Sequence, residues 1–242
     1  MEKISKTKEN PKLVVVIPAY CEVGKIGETV LAALPFCPSI IVVDDGSGDG
    51  TADAARTAGA EVIVHQVNQG KGGALQTGFA RALELGADVI VTLDADGQHD
   101  PAEIEDFMAK FRDQNVDVLV GNRMTANRNM PWIRRRTNQF MSWLLSQIMQ
   151  QRVPDTQNGY RLYRSDVIPF TQTDSHGFAA ESEQLLYIAD QGFRIGSVPV
   201  RTIYQDEVSS IHPIQDTARF FKMIFRYYKH DGAREHNMVV AV

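Results

Sequence analysis

The chain has 242 residues, 43% of them hydrophobic, a formal net charge of −5 and two cysteines. That length and apolar content supply one large domain, or a domain with a small subdomain, and ample core. The acidic balance argues against nucleic acid as a partner. Cys21 and Cys37 lack metal-ligand spacing, which makes a reduced cytosolic setting the default. No stretch approaches the ~18 apolar residues of a membrane span.

Met1 to Pro11 is polar and charged and reads as a flexible tail without the apolar core of a signal peptide. Leu13 to Ile17 is a β-branched run ended by Pro18, the pattern of a buried strand. Helical spacing covers Ile26 to Leu34. A second buried strand, Ile40 to Val43, runs into Asp44-Asp45-Gly46-Ser47-Gly48-Asp49-Gly50-Thr51. Asp49 or Thr51 caps a helix ending near Ala58. Glu61 to His65 is a third strand. Asn68 to Gly73 is expected as a turn leading into a helix over Ala74 to Leu85. Strand then alternates with helix, as βαβ units and a parallel sheet require. The strands show little polar alternation, so helices must cover both faces.

The stretch Val89-Ile90-Val91-Thr92-Leu93-Asp94-Ala95-Asp96-Gly97-Gln98-His99 is central. A buried strand there delivers two carboxylates, spaced i and i+2, to its end. Both can face one hard cation, of the kind that holds phosphates. A helix over Pro101 to Arg112 and a strand over Val116 to Val120 follow, ending at Gly121-Asn122-Arg123. Beyond Met124 the pattern changes. Met124 to Arg136 is rich in basic and amide residues, and Phe140 to Met149 is apolar at helical spacing. Asp155 to Tyr163 is turn-rich and then strand-like. Phe178 to Gln191 reads as helix, Phe193 to Ile203 as strand, and Asp216 to Lys229 as an amphipathic helix. The expected organisation is a tail (1–11), a domain (12–215) divided into halves at 123/124, and a terminal helix and tail (216–242).

In open α/β sheets ligands bind beyond the carboxyl ends of the strands. Three such ends carry chemistry here: Pro18-Ala19-Tyr20-Cys21-Glu22, Asp44-Asp45-Gly46-Ser47 and Asp94-Ala95-Asp96-Gly97-Gln98. No G-x-G-x-x-G follows the first strand, and Gly70-Lys71-Gly72 has the wrong spacing for a P-loop. What remains is acid groups for base and ribose hydroxyls, with a metal for a diphosphate.

Pro18-Ala19-Tyr20-x-Glu22, Asp44-Asp45-Gly46-Ser47-x-Asp49-Gly50-Thr51, Asn68-x-Gly70-Lys71-Gly72 and Asp94-Ala95-Asp96-Gly97-Gln98 occur in this order. Together they resemble the family 2 glycosyltransferases of the GT-A fold, in particular the dolichol-phosphate and polyprenol-phosphate mannosyltransferase branch. The likeness runs from about residue 12 to 225. It implies an α/β fold with a Rossmann-like, mostly parallel sheet, helices on both faces and C-terminal amphipathic helices. It implies that Pro18, Tyr20 and Glu22 line the base pocket, with Val43 and Asp45 at base and ribose. Asp94 and Ala95 would contact the nucleotide, and Asp94, Asp96 and Gln98 would hold Mg²⁺ or Mn²⁺ on the donor diphosphate. Arg123 resembles the family's arginine near the donor or acceptor phosphate.

The resemblance implies inverting transfer of a hexose from a nucleotide sugar to a polyprenyl or dolichyl phosphate, with mannose from GDP-mannose as the leading donor. UDP-glucose as donor, a soluble or protein acceptor, and a non-catalytic nucleotide-sugar binder stay open as alternatives. A phosphate acceptor needs no general base, and Arg123, Arg128, Arg134, Arg135, Arg136 and Arg161 are cations that would position it. A hydroxyl acceptor would need a base, for which Asp155 leads.

Two departures stand out. Cys21 replaces the usual Asn. Basic residues expected after Val198-Pro199-Val200 are replaced by Gln205 and Ser210, so either Arg201 substitutes or the substrate differs. Trp132 to Met149 and the terminal helix both mix aromatics with cations. That suits a peripheral contact at the cytoplasmic face of a membrane, while core packing or a homo-oligomer contact remains open for the terminal helix. Lys71 either contacts ligand or covers a helix start, and Glu181 and Glu183 resemble acidic positions of the family or form a helix-face salt bridge. His65, His99, His176 and His212 stand alone in sequence and are read as ligands of no metal.

Overall fold

The structure is a computed structural model that describes residues 10–124, 132–173, 178–201, 203 and 217–229, without the side chains of residues 134, 178 and 179. The first half alternates as expected: β1 (Leu13–Ala19), α1 (Ile26–Ala33), β2 (Ile40–Asp44), α2 (Thr51–Thr57), β3 (Glu61–Val64), α3 (Gly70–Glu84) and β4 (Val89–Thr92). After a 3-10 turn at Pro101–Glu103 come α4 (Ile104–Asp113), β5 (Val118–Asn122), α5 (Trp132–Met149), β6 (Arg161–Arg164), α6 (Phe178–Asp190) and β7 (Ile195–Pro199). A last helix, α7, covers 217–229.

The seven strands form one sheet in the order β3-β2-β1-β4-β6-β5-β7. All neighbours are parallel except β6, which runs antiparallel to both β4 and β5. The sheet is thus mostly parallel, and β6 from the second half of the chain is inserted between two strands of the first.

Alternation along β1 builds two cores. Val14 and Val16 join Ile41 and Val43 against Ala74, Leu75 and Phe79 of α3, with Leu145 of α5 and Leu185 of α6 continuing that layer. Val15 and Ile17 face the other way, onto Ile26 and Val30 of α1 and Ile104 and Phe107 of α4. Consecutive strand residues point to opposite faces, so the unbroken apolar run of β1 needs both helical layers. Contact with α3 is close: a Cβ on Gly78 would lie 2.3 Å from Val16 Cγ1.

The start of α3 differs from expectation by about one turn. Helix α3 starts at Gly70, not Ala74, because Asp45 caps it across space. The backbone N–H of Gln69 donates to Asp45 Oδ1 at 2.9 Å and that of Gly70 to Oδ2 at 2.7 Å. A carboxylate at a helix N-terminus satisfies orphan donors and complements the dipole, which offsets three glycines in the first turn. Helix α5 spans Trp132–Met149, the stretch that the sequence marks as mixing aromatics with cations, and so carries Arg135 and Arg136 on its first turns.

The terminal helix divides its aromatic stripe. Phe220, Met223 and Tyr227 are buried in the α3 layer, while Phe221, Phe225 and Tyr228 are exposed. Tyr227 Oη donates to Asp190 at 2.6 Å and Arg226 Nη2 to Glu183 at 3.0 Å, both on α6.

Candidate active site

A crevice of about 590 Å³ opens beyond the carboxyl ends of β1, β2 and β4. This is where the strand order turns, since β1 pairs with β2 on one side and β4 on the other. Pro18, Tyr20 and Glu22 line it from the end of β1, Asp45 from β2, and Asp94, Ala95 and Asp96 from β4. Lys71 of α3 and Glu181 of α6 complete it. The three chemically loaded strand ends therefore meet, as the sequence implied. A larger depression of about 710 Å³ lies between the second half of α5 and residues 150–154, but no carboxylate lines it.

The β1 turn is held by the loop after β2. Cys21 N–H donates to Ser47 Oγ at 2.8 Å and Glu22 N–H to Thr51 Oγ1 at 2.8 Å. Cys21 sits in the left-handed region at φ 56°, a conformation Asn adopts more readily, which is the physical content of that departure.

Five carboxylates face one ammonium among the described lining residues: Glu22, Asp45, Asp94, Asp96 and Glu181 against Lys71. Lys71 Nζ lies 2.7 Å from Asp94 Oδ1 and 2.7 Å from Glu181 Oε1. Burial alone would push its pKa down, but the two carboxylates outweigh that and hold it above the ordinary lysine value. Burial works to raise Asp94, and the Lys71 ammonium, with Arg123 beyond it, overrides it and holds the carboxyl well below the usual range. Glu22 moves the other way, raised first by burial and then by the charge of Asp96. Gly159 makes room for the Lys71–Asp94 pair: a Cβ there would lie 2.7 Å from Lys71 Nζ and 2.9 Å from Asp94 Oδ1.

His99, set aside in the sequence, is the peg of the acidic loop. Its Nδ1 accepts the backbone N–H of Asp94 at 3.1 Å, which leaves Nε2–H to donate to Asn158 Oδ1 at 3.2 Å. Asn158 in turn donates to the Gly121 carbonyl at 2.9 Å and accepts from Tyr160 N–H at 3.1 Å. Burial lowers the His99 pKa, in keeping with this neutral ring. Asn-Gly before β6 was the only sequence sign of this network. Asp96 Oδ1 accepts Gln98 N–H at 2.9 Å, and the Gln98 carbonyl accepts from Ile203 N–H at 3.0 Å.

Several expected residues sit elsewhere. Val43 is fully buried in the core under α3 and does not line the crevice. Gln98 is not among the lining residues either. Asp45 lines the crevice but is 2% exposed, and both its oxygens already bind: Oδ1 also meets His65 Nδ1 at 2.7 Å. Asp155 is no free base. Arg123 clamps it through Nε at 2.7 Å, Nη2 at 3.0 Å and its backbone N–H at 3.2 Å. Arg161 is 1% exposed and donates inward, to the carbonyls of Asn158, Thr156 and Glu181 and to Tyr163 Oη. Its position on β6 turns that side chain into the core, where these acceptors hold it away from the solvent.

Of the remaining cations, Arg135 Nη2 donates to the Met124 carbonyl at 3.2 Å, next to Arg123. Arg201 has an exposed side chain and is fastened by its backbone N–H to Glu103 Oε1 at 2.7 Å. Arg128, the side chain of Arg134, and the loop holding Gln205 and Ser210 lie outside the described residues. Among the described residues no three His, Cys, Asp or Glu gather as a metal cluster.

Comparison with known proteins agrees with this geometry. The family model described as glycosyl transferase family 2 matches residues 14–170. The chain is 31% identical over 210 residues to an undecaprenyl-phosphate mannosyltransferase of Micrococcus luteus, covering 81% of this chain and 85% of that one. It is 30% identical over 214 residues to a UDP-N-acetylglucosamine–dolichyl-phosphate N-acetylglucosaminyltransferase of Methanococcus voltae, covering 79% and 85%. In fold it is similar to glucosyl-3-phosphoglycerate synthase of Mycobacterium tuberculosis, crystallised with Mn²⁺, UDP and glucosyl-3-phosphoglycerate. That match has a TM-score of 0.69 and 19% identity, and covers 90% of this chain and 78% of that one. With its strand-end motifs gathered in one crevice on a mostly parallel sheet, the chain belongs to glycosyl transferase family 2 and is a glycosyltransferase of the GT-A fold.

Proposed function

We propose that this glycosyltransferase moves a hexose, mannose first among candidates, from a nucleotide sugar, GDP-mannose first, to a polyprenyl or dolichyl phosphate. The observation that carries the reading is the acidic crevice at the meeting of β1, β2 and β4, with Asp94 and Asp96 at its centre. The names of the relatives from M. luteus and M. voltae, both acting on a polyprenyl-type phosphate, support the acceptor class.

A divalent cation fits the donor set. Asp94 already carries a stand-in cation, the Lys71 ammonium at 2.7 Å, and Asp96 lines the same crevice. Two carboxylates completed by substrate phosphate oxygens suit Mg²⁺ or Mn²⁺. Bound there, the ion would neutralise charge on the leaving nucleoside diphosphate. Asp94 and Asp96 would hold it, with Gln98 as a further proposed ligand.

The protein's own groups have separate tasks. Pro18 and Tyr20 supply an apolar wall for the base, while Glu22 and Ala95 meet nucleotide hydroxyls and amides. Asp45 holds the N-terminus of α3 in place, which presents backbone and Lys71 to the diphosphate. Arg123, aimed by its clamp on Asp155 and close enough to act on Asp94, faces a phosphate at the rim. Arg135 and Arg201 extend the cationic side. A phosphate monoester is already ionised, so no side chain must remove a proton, and a locked Asp155 is consistent with that acceptor.

A lipid acceptor brings the enzyme to a bilayer. No helix among the described residues is long and apolar enough to cross one. Helix α5 instead leaves Trp132, Ile133, Phe140 and Trp143 exposed beside Arg136, the composition of a helix that lies on anionic lipid. The test is incubation with labelled GDP-mannose, UDP-glucose and UDP-N-acetylglucosamine, each with Mg²⁺ or Mn²⁺ and polyprenyl phosphate. Labelled lipid is expected from one donor. No lipid-linked product from any of them defeats the proposal.

A further inference from the structure

We infer that Lys71 is a resident counter-ion that keeps free divalent metal off Asp94 until a nucleoside diphosphate arrives. The inference rests on the metal reading above. Its basis is one juxtaposition: Lys71 Nζ bridges Asp94 Oδ1 and Glu181 Oε1, 2.7 Å from each. Glu181 is 95% buried at the side chain, whereas Lys71 and Asp94 remain about a third exposed, so the bridge stands in the crevice wall with its open side to solvent. Gly159 backs the pair closely enough that a Cβ would collide with both charged groups.

Chemistry then forces a choice. A cation such as Mg²⁺ binds a carboxylate oxygen at about 2.0–2.1 Å and arranges its ligands in a tight octahedron. An ammonium at hydrogen-bond distance from Asp94 occupies that space and already neutralises the charge that attracts the metal. Metal alone must therefore displace a paired lysine. A diphosphate changes the balance, because it offers the ammonium new anionic oxygens. The lysine stem is flexible and Glu181 is a fixed second anchor, so Nζ can leave Asp94 for phosphate while one partner stays in contact. Asp94 is then released at the moment the diphosphate brings oxygens to complete the metal shell. Donor and metal are thereby coupled, and a metal-loaded crevice without nucleotide is disfavoured.

The test is calorimetric titration with MnCl₂ alone, and with MnCl₂ in the presence of GDP or UDP. Wild type is compared with Lys71→Gln, Lys71→Arg and Asp96→Ala, each first shown folded by circular dichroism. Removing the ammonium is expected to tighten Mn²⁺ binding without nucleotide roughly tenfold or more, since two facing carboxylates lose the cation that bridges them. Lys71→Arg keeps a cation on the pair and is expected to bind Mn²⁺ alone as weakly as wild type. Should the glutamine variant not fold, Lys71→Met retains the aliphatic stem and is read in its place. Wild-type Mn²⁺ affinity in the folded Gln or Met variant, with affinity lost in Asp96→Ala, overturns the inference and leaves the metal site standing. Unchanged affinity in Asp96→Ala overturns the metal site itself, and the inference with it.

Discussion

Replacing Asp155 separates a structural clamp from a chemical base. Its carboxylate is wholly buried, and the Arg123 side chain that grips it is 12% exposed. Three N–H groups of Arg123 point at two oxygens, at 2.7, 3.0 and 3.2 Å. Asp155→Ala leaves a nearly buried guanidinium with those donors unmet. Breaking a buried ion pair from one side costs about 3–5 kcal/mol, most of it the desolvation of the orphaned charge. Asp155→Asn keeps the shape and one acceptor, so about half that loss is expected. Urea unfolding read from the midpoint at constant slope measures both values. A double variant with Arg123→Leu and Asp155→Leu should lose clearly less than the sum of its single changes, because the partners share one interaction. Activity should fall in parallel, through a misaimed Arg123, with no new limb in the pH–rate profile. An Asp155→Asn protein of wild-type stability that loses activity together with an acidic limb of that profile would refute the clamp and restore the base.

Gly159→Ala should push Lys71 or Asp94 by a few tenths of an ångström; steady-state assays should show donor-dependent turnover down roughly tenfold while unfolding stability moves by about 1 kcal/mol or less. Gly78→Ala drives a methyl into Val16 at 2.3 Å and should cost about 1–3 kcal/mol in urea unfolding, since α3 must lift from the sheet. Glu103 gives a pH signature. Burial raises its carboxyl from 4.5 to about 7, against the Arg201 N–H bond that lowers it. The folded state then binds this proton more tightly than the unfolded one, so the contribution is full below pH 4.5 and is lost as pH rises through about 7. Glu103→Gln should flatten the fall in melting temperature between pH 4.5 and about 7, and an identical fall in wild type and variant would count against it. Trp143→Glu should reduce sedimentation with phosphatidylserine vesicles without changing nucleotide affinity, if α5 meets the lipid surface.

Periodicity and punctuation alone determined the βαβ frame, the two-sided burial of the strands and the three acidic strand ends. These are local signals: apolar runs of four or five residues, a proline stop, glycines at turns. Because parallel strands all end on the same side, the meeting of Pro18, Asp45 and Asp94 in one crevice also followed from sequence order.

Tertiary structure decided what each charge does. Helix α3 starts at Gly70 because Asp45, twenty-five residues earlier, caps it, and propensity read along the chain sees three glycines there instead. Arg161 is one more cation of the expected cluster in sequence, and its place on β6 turns it inward. Asp155 and His99 were ambiguous for the same reason: a carboxylate or an imidazole takes its role from its partner, and those partners, Arg123 and Asn158, are brought in by folding. Sequence determined which strand-end acids reach the crevice, through strand period and chain direction. Only the packing of α3, α6 and β6 decided that Lys71 stands among them, since an ion pair depends on distance in space and leaves no period in the chain.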